Sequence, residues 1–179
     1  MAADFLISSL QPLEFDGVAP YTAERFLALC RDQLSETQAA AIADALSERL
    51  PDIDSSWSPA AKWRDLEIQF RNAAATERAR ARGEDPSRWR RPAEGCALHW
   101  TGRIAAAFQE HDPARRDRML DQVRWDAADE LVPASSPLSA AAALAYAIRL
   151  AIVLRRQRIS VANGNETFSR LTAAAHPKL

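Results

Sequence analysis

The stretch Asp112–Gln157 reads DPARRDRMLDQVRWDAADELVPASSPLSAAAALAYAIRLAIVLRRQ and holds two consecutive helix patterns. Asp112-Pro113 and Ser136-Pro137 each place a capping side chain directly before a proline, a combination that commonly opens a helix. After the first cap, apolar residues recur on one helical face. After the second cap, the sequence is apolar almost all round, as expected for a helix at the centre of a bundle. The stretch therefore predicts an all-α fold.

The composition also indicates a helical protein. Alanine is abundant, and only five of the 179 residues are glycine. Alanine is the best helix former and glycine is among the worst. A chain of this length fits one compact domain. We therefore predict a single helical domain over residues 1–179, a bundle of about six to seven helices in which Ser-Pro or Asp-Pro caps open the long helices.

Start and stop signals divide the chain into elements. Ser35 to Gln38 has the pattern of a capping box, Ser58-Pro59 is a further cap followed by proline, and Gly83 is a typical helix end. The predicted elements are a helical hairpin (about 22–50), a long helix (about 58–83), a hinge (84–95), three further helices (about 97–110, 112–132 and 137–160) and a polar tail (172–179).

Apolar side chains at helical spacing define the expected core. The predicted core positions are Phe26, Cys30 and Leu34; Trp63, Leu66, Phe70 and Ala74; Trp100, Ile104 and Phe108; and Leu120, Val123, Ala127 and Leu131. Leu138–Leu154 is the only candidate membrane span in the sequence. Arg149 interrupts it, which favours a buried helix over a span.

Arg124 and Trp125 allow two interpretations. At about 100° per residue, Arg124 lies on the flank of the core face and Trp125 lies well away from it. In the structural interpretation, which we favour, Arg124 pairs with Asp121 or with a carboxylate of a neighbouring helix, and Trp125 packs against a second neighbour. In the other, Trp125 is an exposed anchor for a partner protein, since tryptophan is enriched at interface hot spots. Tyr146, with its hydroxyl near the core edge, and Arg149 are further structural candidates.

An arginine-rich region covers residues 71–91. Its candidate partner contacts are Arg71, Arg78, Arg82, Trp89 and Arg90. The region could be a solvated helix face that continues into a loop, a contact for an acidic protein surface, or a nucleic-acid patch, which needs clustered positive charge and aromatic side chains. Acidic residues dilute the run and the net charge is -1, which argues against nucleic acid. The solvated face is favoured, followed by the acidic protein surface.

The sequence carries none of the familiar motifs of catalysis or cofactor binding. No glycine-rich loop matches the phosphate-binding or dinucleotide patterns, which argues against direct nucleotide binding. Cys96 and His99 have the spacing of half a zinc site, but no second pair follows. We therefore expect no cofactor, no bound metal and no catalytic residues. Two cysteines, and a start without a basic leader, favour a cytoplasmic location.

Six segments in a fixed order carry a family resemblance. They are FLISSLQPLEFD (5–16), RFLALCRDQLSETQ (25–38), WRDLEIQFRNAAATERAR (63–80), DPARRDRMLDQVRW (112–125), LAYAIRLAIVLRRQ (144–157) and NGNETF (163–168). Together they resemble a bacterial family of uncharacterised proteins that are encoded among V-type (A/V-type) ATPase subunits and are described as similar to the C-type subunit. The stretch 84–95 lies outside this resemblance. The resemblance implies an all-helical, non-catalytic subunit, with ATP hydrolysis in other chains.

Three functional hypotheses follow from the sequence. The first is an interaction or structural subunit of a V-type ATPase that translocates protons or sodium, serving as a C-type coupling or stalk element. Its partners would be other ATPase subunits, and it would lie peripherally at the cytoplasmic membrane through the complex. The second is a stand-alone helical adaptor or regulator that binds an acidic protein surface through residues 71–91. The third is an enzyme with an unrecognised site, which predicts a deep polar pocket holding ionisable groups of shifted pKa.

Overall fold

The computed structural model describes residues 2–49, 52, 55–95 and 97–159. These residues form seven α-helices and two short 3₁₀ turns and no strand, which confirms the all-α prediction. The helices are α1 (Ala2–Ser9), α2 (Ala23–Gln33), α3 (Glu36–Leu46), α4 (Ser58–Arg82), α5 (Leu98–Ala107), α6 (Pro113–Ala127) and α7 (Ala140–Arg158), and the 3₁₀ turns are Pro86–Trp89 and Ala128–Leu131. Cys96, the NGNETF segment and the predicted polar tail (172–179) lie outside the described residues.

Two of the predicted helix starts are confirmed by their cap geometry. The Gln38 N–H donates to Ser35 Oγ at 3.4 Å, and the Ser35 N–H donates to Gln38 Oε1 at 3.1 Å, which completes the capping box of α3. At α6, the Asp112 carboxylate accepts from the Ala114 N–H at 2.9 Å. Each cap satisfies backbone donors that have no partner inside the helix.

The Ser136-Pro137 signal was wrong as a helix start. It forms a turn, closed by the Ser139 N–H donating to the Ser136 carbonyl at 3.2 Å, and α7 begins only at Ala140. A small polar residue followed by proline suits the first two positions of a type I turn as well as a helix start. Ser58 is likewise the first residue of α4 rather than its cap, and Trp57 occupies the cap position without a side-chain hydrogen bond.

Helix α7 lies at the centre of the bundle, as its apolar sequence predicts. It packs against α1, α2, α3, α4 and α6 and against the 3₁₀ turn Ala128–Leu131. The largest fully buried side chains come from α7 and from the helices around it. They include Phe26, Ile42, Phe70, Ile104, Leu144 and Leu150. The predicted core stripes of α2, α4, α5 and α6 all face this core, with Leu34, Phe108 and Leu120 half-buried at its margin.

The stretch 84–95, expected to be a hinge, is tied back onto α4. The Asn72 side chain donates to the Arg91 carbonyl and accepts from the Arg91 N–H, both at 2.8 Å. One turn earlier, Gln69 donates to the Glu94 carbonyl at 2.8 Å and accepts from the Ala97 N–H at 2.7 Å. Two side-chain amides thus supply the backbone hydrogen bonds that this irregular stretch cannot make within itself.

Candidate functional site: a charged core and an arginine groove

A buried ion pair joins α4 to α6. The Arg124 guanidinium donates from Nε to Glu67 Oε2 and from Nη2 to Glu67 Oε1, both at 2.9 Å. Only 9% of the Glu67 side chain is exposed and 21% of that of Arg124. Of the two partners expected for Arg124, the structure shows the carboxylate of a neighbouring helix. Burial acts to lower the pKa of Arg124, but the adjacent Glu67 and Asp121 outweigh it, so the pKa is raised and the charge is retained.

Asp121 belongs to a second buried ion pair. Its Oδ1 accepts a short hydrogen bond from Arg155 Nη2 of α7, and its Oδ2 lies 3.8 Å from Arg156 Nη1. Burial raises the pKa of the Asp121 carboxyl, and the charge of Arg155 offsets part of this effect. Asp121 is thus a structural carboxylate that connects α6 to α7, and its main partner is not Arg124.

These two ion pairs border a cavity of about 280 Å³ between α3, α4, α5, α6 and α7. Its polar wall includes Glu48, Glu67, Arg71, Asp121, Arg124 and Arg155, and its apolar wall includes Trp63, Phe70, Ile104, Ile148 and Ile152. A polar pocket with ionisable groups of shifted pKa is what the enzyme hypothesis predicts. These six charged side chains, however, are engaged with one another as ion pairs, and the two other charged residues that line the cavity are Arg78 and Asp117. Such a network is typical of structural polar interiors.

Trp125 is half-buried and packed on two sides. The Phe15 ring meets it edge to face at 5.4 Å, and the Arg149 guanidinium lies over it at 5.2 Å. Arg149 also donates to the Trp125 carbonyl at 3.1 Å and pairs with Asp129 at 2.6 Å. These contacts agree with the structural interpretation of Trp125, and they leave only part of the ring available to a partner.

The segment between α1 and α2 is fastened to the end of the bundle. Asp16 accepts from Arg118 of α6 at 2.5 Å and from Arg156 of α7 at 2.9 Å. The hydrogen bond with Arg118 is the main cause that lowers the pKa of Asp16. The Tyr146 hydroxyl donates to the Gln11 carbonyl at 2.8 Å, which places it at the edge of the core, as predicted. The long segment therefore covers α7 rather than extending into solvent.

The arginine-rich region does not form one continuous site. Arg71 belongs to the ion-pair network of Glu48, Glu67, Arg71, Asp121, Arg124 and Arg155, which we call the charged core, and its Nε lies 3.3 Å from Glu67 Oε1. Trp89 is 55% exposed, and its indole N–H donates to Glu84 at 3.2 Å. Arg90 is exposed on the side of α4 where the loop returns. Arg78 and Arg82 are exposed one turn apart on α4 and border a different groove.

We call this feature the arginine groove and define it by Arg78, Arg82, Phe108 and Arg116. Phe108 follows α5, and the guanidinium groups of Arg78 and Arg116 each lie 5.6 Å from the centre of its ring. Phe108, which was predicted to lie in the core, is half-buried at this groove, and Arg116 was not among the predicted contacts. One local signal was available, because Arg116 occupies the first turn of α6, where the helix dipole disfavours positive charge.

Three further observations on the described part of the chain concern metal binding, membrane spanning and thiol reactivity. No group of three His, Cys, Asp or Glu side chains there could hold a metal ion. None of its helices is both long and apolar enough to cross a membrane. Burial raises the pKa of the Cys30 thiol to about 12, so this thiol remains protonated and unreactive at neutral pH.

The comparison with protein families gives a match over the C-terminal part of the chain. Residues 98–176 match the sequence model of a family described as "Protein of unknown function (DUF2764)". The match begins at the first residue of α5 and includes all of α6 and α7. No curated protein matches the chain. No solved structure matches it either.

Proposed function

We propose that this chain is a non-catalytic interaction or structural subunit associated with a V-type ATPase, serving as a C-type coupling or stalk element. The observation that carries the proposal is that the segments resembling that family, although distant in sequence, contact one another in the fold. Segment 5–16 contacts segments 112–125 and 144–157 through Asp16. Segments 63–80 and 112–125 meet at the ion pair between Glu67 and Arg124.

The ion pairs between helices suit a subunit that transmits force. Ion pairs link α4 to α6 and α6 to α7, and the Asp16 segment links α6 to α7 a second time. A coupling or stalk element works through shape and stiffness, and side-chain networks across helices oppose sliding of one helix along another. In the proposed role, ATP hydrolysis belongs to other chains. The protein would lie peripherally at the cytoplasmic membrane through the complex.

Copurification tests this proposal. The chain carries an affinity tag and is expressed from its own locus, and its eluate is compared with that from cells carrying the tag alone. We expect V-type ATPase subunits to be enriched together, in ratios that stay constant through a subsequent size-exclusion step. A tagged chain that elutes as a monomer, with no ATPase subunit above the control, would contradict the proposal.

A second candidate function is a helical adaptor or regulator that binds an acidic protein surface through residues 71–91. It is favoured by the exposure of Arg78 and Arg82, neither of which has a carboxylate partner among the described residues. The engagement of Arg71 in the charged core and the separation of Arg90 from the groove restrict this surface to part of the region. Copurification with a single acidic protein, in place of ATPase subunits, would favour the adaptor.

A further inference from the structure

The arginine groove combines residues from three elements that are distant in sequence. Arg78 comes from α4, Phe108 follows α5, and Arg116 comes from the first turn of α6. Both guanidinium groups lie against the Phe108 ring at a distance of 5.6 Å, which is within the range of a cation–π contact. The ring therefore holds two positive charges near each other at the surface, and Arg82 borders the same groove.

These arginines differ from most others in the described part of the chain. Arginines such as Arg118, Arg124 and Arg155 are paired with carboxylates at close range. Arg78 and Arg116 make no ion pair and no side-chain hydrogen bond within the described residues; their assigned contact is with the ring. Each guanidinium has five N–H donors in a planar fork. These donors therefore remain available to an external acceptor.

Arg116 lies in the first turn of α6, where positive charge is disfavoured by the helix dipole. Helix α6 has no acidic residue in its first turn, and its sequence starts Pro113-Ala114-Arg115-Arg116. Positive side chains at the amino end of a helix repel the positive end of its dipole. The same dipole strengthens the attraction of an anion to this end of α6. The Asp112 carboxylate caps this end of α6 and lies 3.6 Å from Arg115 Nε, so it offsets part of the repulsion, whereas Arg116 has no carboxylate partner among the described residues.

We propose that the arginine groove docks a carboxylate-rich segment of a partner protein. The inference rests on the proposed function, because it names the surface through which the interaction subunit holds its partner. Guanidinium groups recognise carboxylates through paired hydrogen bonds. The contacts with Phe108 hold both arginines before binding, so little side-chain freedom is lost on association.

An acidic protein segment fits this surface better than a nucleic acid does. Nucleic-acid binding depends on many phosphate contacts along a continuous basic face. Here Glu77 and Asp117 border the groove and interrupt the positive charge along it, and the net charge of the chain is -1. Two arginines against the Phe108 ring and a third, Arg82, at the border of the groove suffice for two or three carboxylates, and the half-buried ring offers an apolar contact beside them.

A binding measurement on the full chain tests the groove directly. The probe is a fluorescein-labelled oligoglutamate peptide, followed by fluorescence anisotropy at low ionic strength. The test variant is Arg78→Ala/Arg116→Ala. The matched control is Arg25→Ala/Arg31→Ala, which removes the same charge from two exposed arginines of α2 that have no ion pair among the described residues. Circular dichroism verifies that each variant retains its helices.

We expect the wild type and the control variant to bind the peptide with the same affinity. The groove variant should bind at least about tenfold more weakly, because one charge-assisted hydrogen bond contributes that factor or more to the affinity. Equal weakening in both variants, or no binding by the wild type, would overturn the proposal. An oligodeoxythymidine of equal charge that binds more tightly than the peptide, with the same dependence on the groove, would overturn the choice of partner. A groove that binds the peptide in a chain that copurifies with no ATPase subunit would support the groove and contradict the ATPase assignment.

Discussion

Replacing Glu67 by glutamine tests whether the buried ion pair between α4 and α6 holds the bundle together. The substitution keeps the shape of the side chain but leaves the buried guanidinium of Arg124 without its counter-charge. Breaking such a pair by removing one partner costs about 3–5 kcal/mol. Because 21% of the Arg124 side chain is exposed and glutamine still accepts a hydrogen bond, we expect a somewhat smaller loss, about 2–3 kcal/mol.

The assay is thermal and urea unfolding followed by circular dichroism. For a chain of this size, about 2–4 °C of Tm corresponds to each kcal/mol, so the expected decrease in Tm is about 4–12 °C. The control is Arg49→Ala, which breaks the ion pair between Arg49 and Asp44. The Arg49 side chain is 67% exposed. This exposed pair should contribute at most about 1 kcal/mol.

A double variant separates the loss of the pair from the isolation of one charge. Glu67→Leu/Arg124→Met removes both charges and keeps similar volumes, and buried pairs replaced in this way often lose little stability. We therefore expect the double variant to be more stable than Glu67→Gln. The reasoning is refuted if Glu67→Gln loses no more stability than Arg49→Ala, or if the double variant is less stable than the single one.

Three further predictions concern the periphery of the bundle. Asp16→Asn should expose segment 10–22 to proteolysis at neutral pH. Because the pKa of Asp16 is lowered below its ordinary value of 3.8, its stabilisation is fully present well above pH 3.8 and is lost as the pH falls from there through the lowered pKa, so variant and wild type should converge in strong acid. Trp125→Ala should lower the free energy of unfolding by about 2 kcal/mol, about half the cost for a fully buried tryptophan; an unchanged urea midpoint would favour a partner contact. Asn72→Ala removes both hydrogen bonds to Arg91 and should speed limited tryptic cleavage after Arg88 and Arg90 with little change in Tm, whereas an unchanged cleavage rate would show that other contacts hold the loop.

The fold was largely accessible from the sequence because periodicity and caps are local properties. The stripe of Trp63, Leu66 and Phe70 and the apolar helix α7 needed only helical geometry to be placed in the core. The helix start predicted at Ser136-Pro137 was wrong for the same reason. The pattern is local and occurs in both turns and helix starts, and packing decides which of the two forms.

The candidate site was less accessible, because its contacts join distant residues. Helical geometry placed Arg124 on the flank of its helix, but the choice of Glu67 over Asp121 depends on how α4 crosses α6. The arginine groove depends on three elements meeting at Phe108, and no spacing in the sequence brings Arg78 close to Arg116. The local indications of this site were the arginine-rich region that contains Arg78 and Arg82 and the unfavourable charge in the first turn of α6.

We propose that the chain belongs to a V-type ATPase as a non-catalytic subunit, and the polypeptide composition of that enzyme tests this proposal. The ATPase is isolated through a tag on one of its other subunits, from cells that produce this chain at native levels, and its components are quantified by mass spectrometry. We predict that this chain is present in a constant ratio to the other subunits and that Arg78→Ala/Arg116→Ala lowers this ratio. A complete and active ATPase without the chain would contradict the claim.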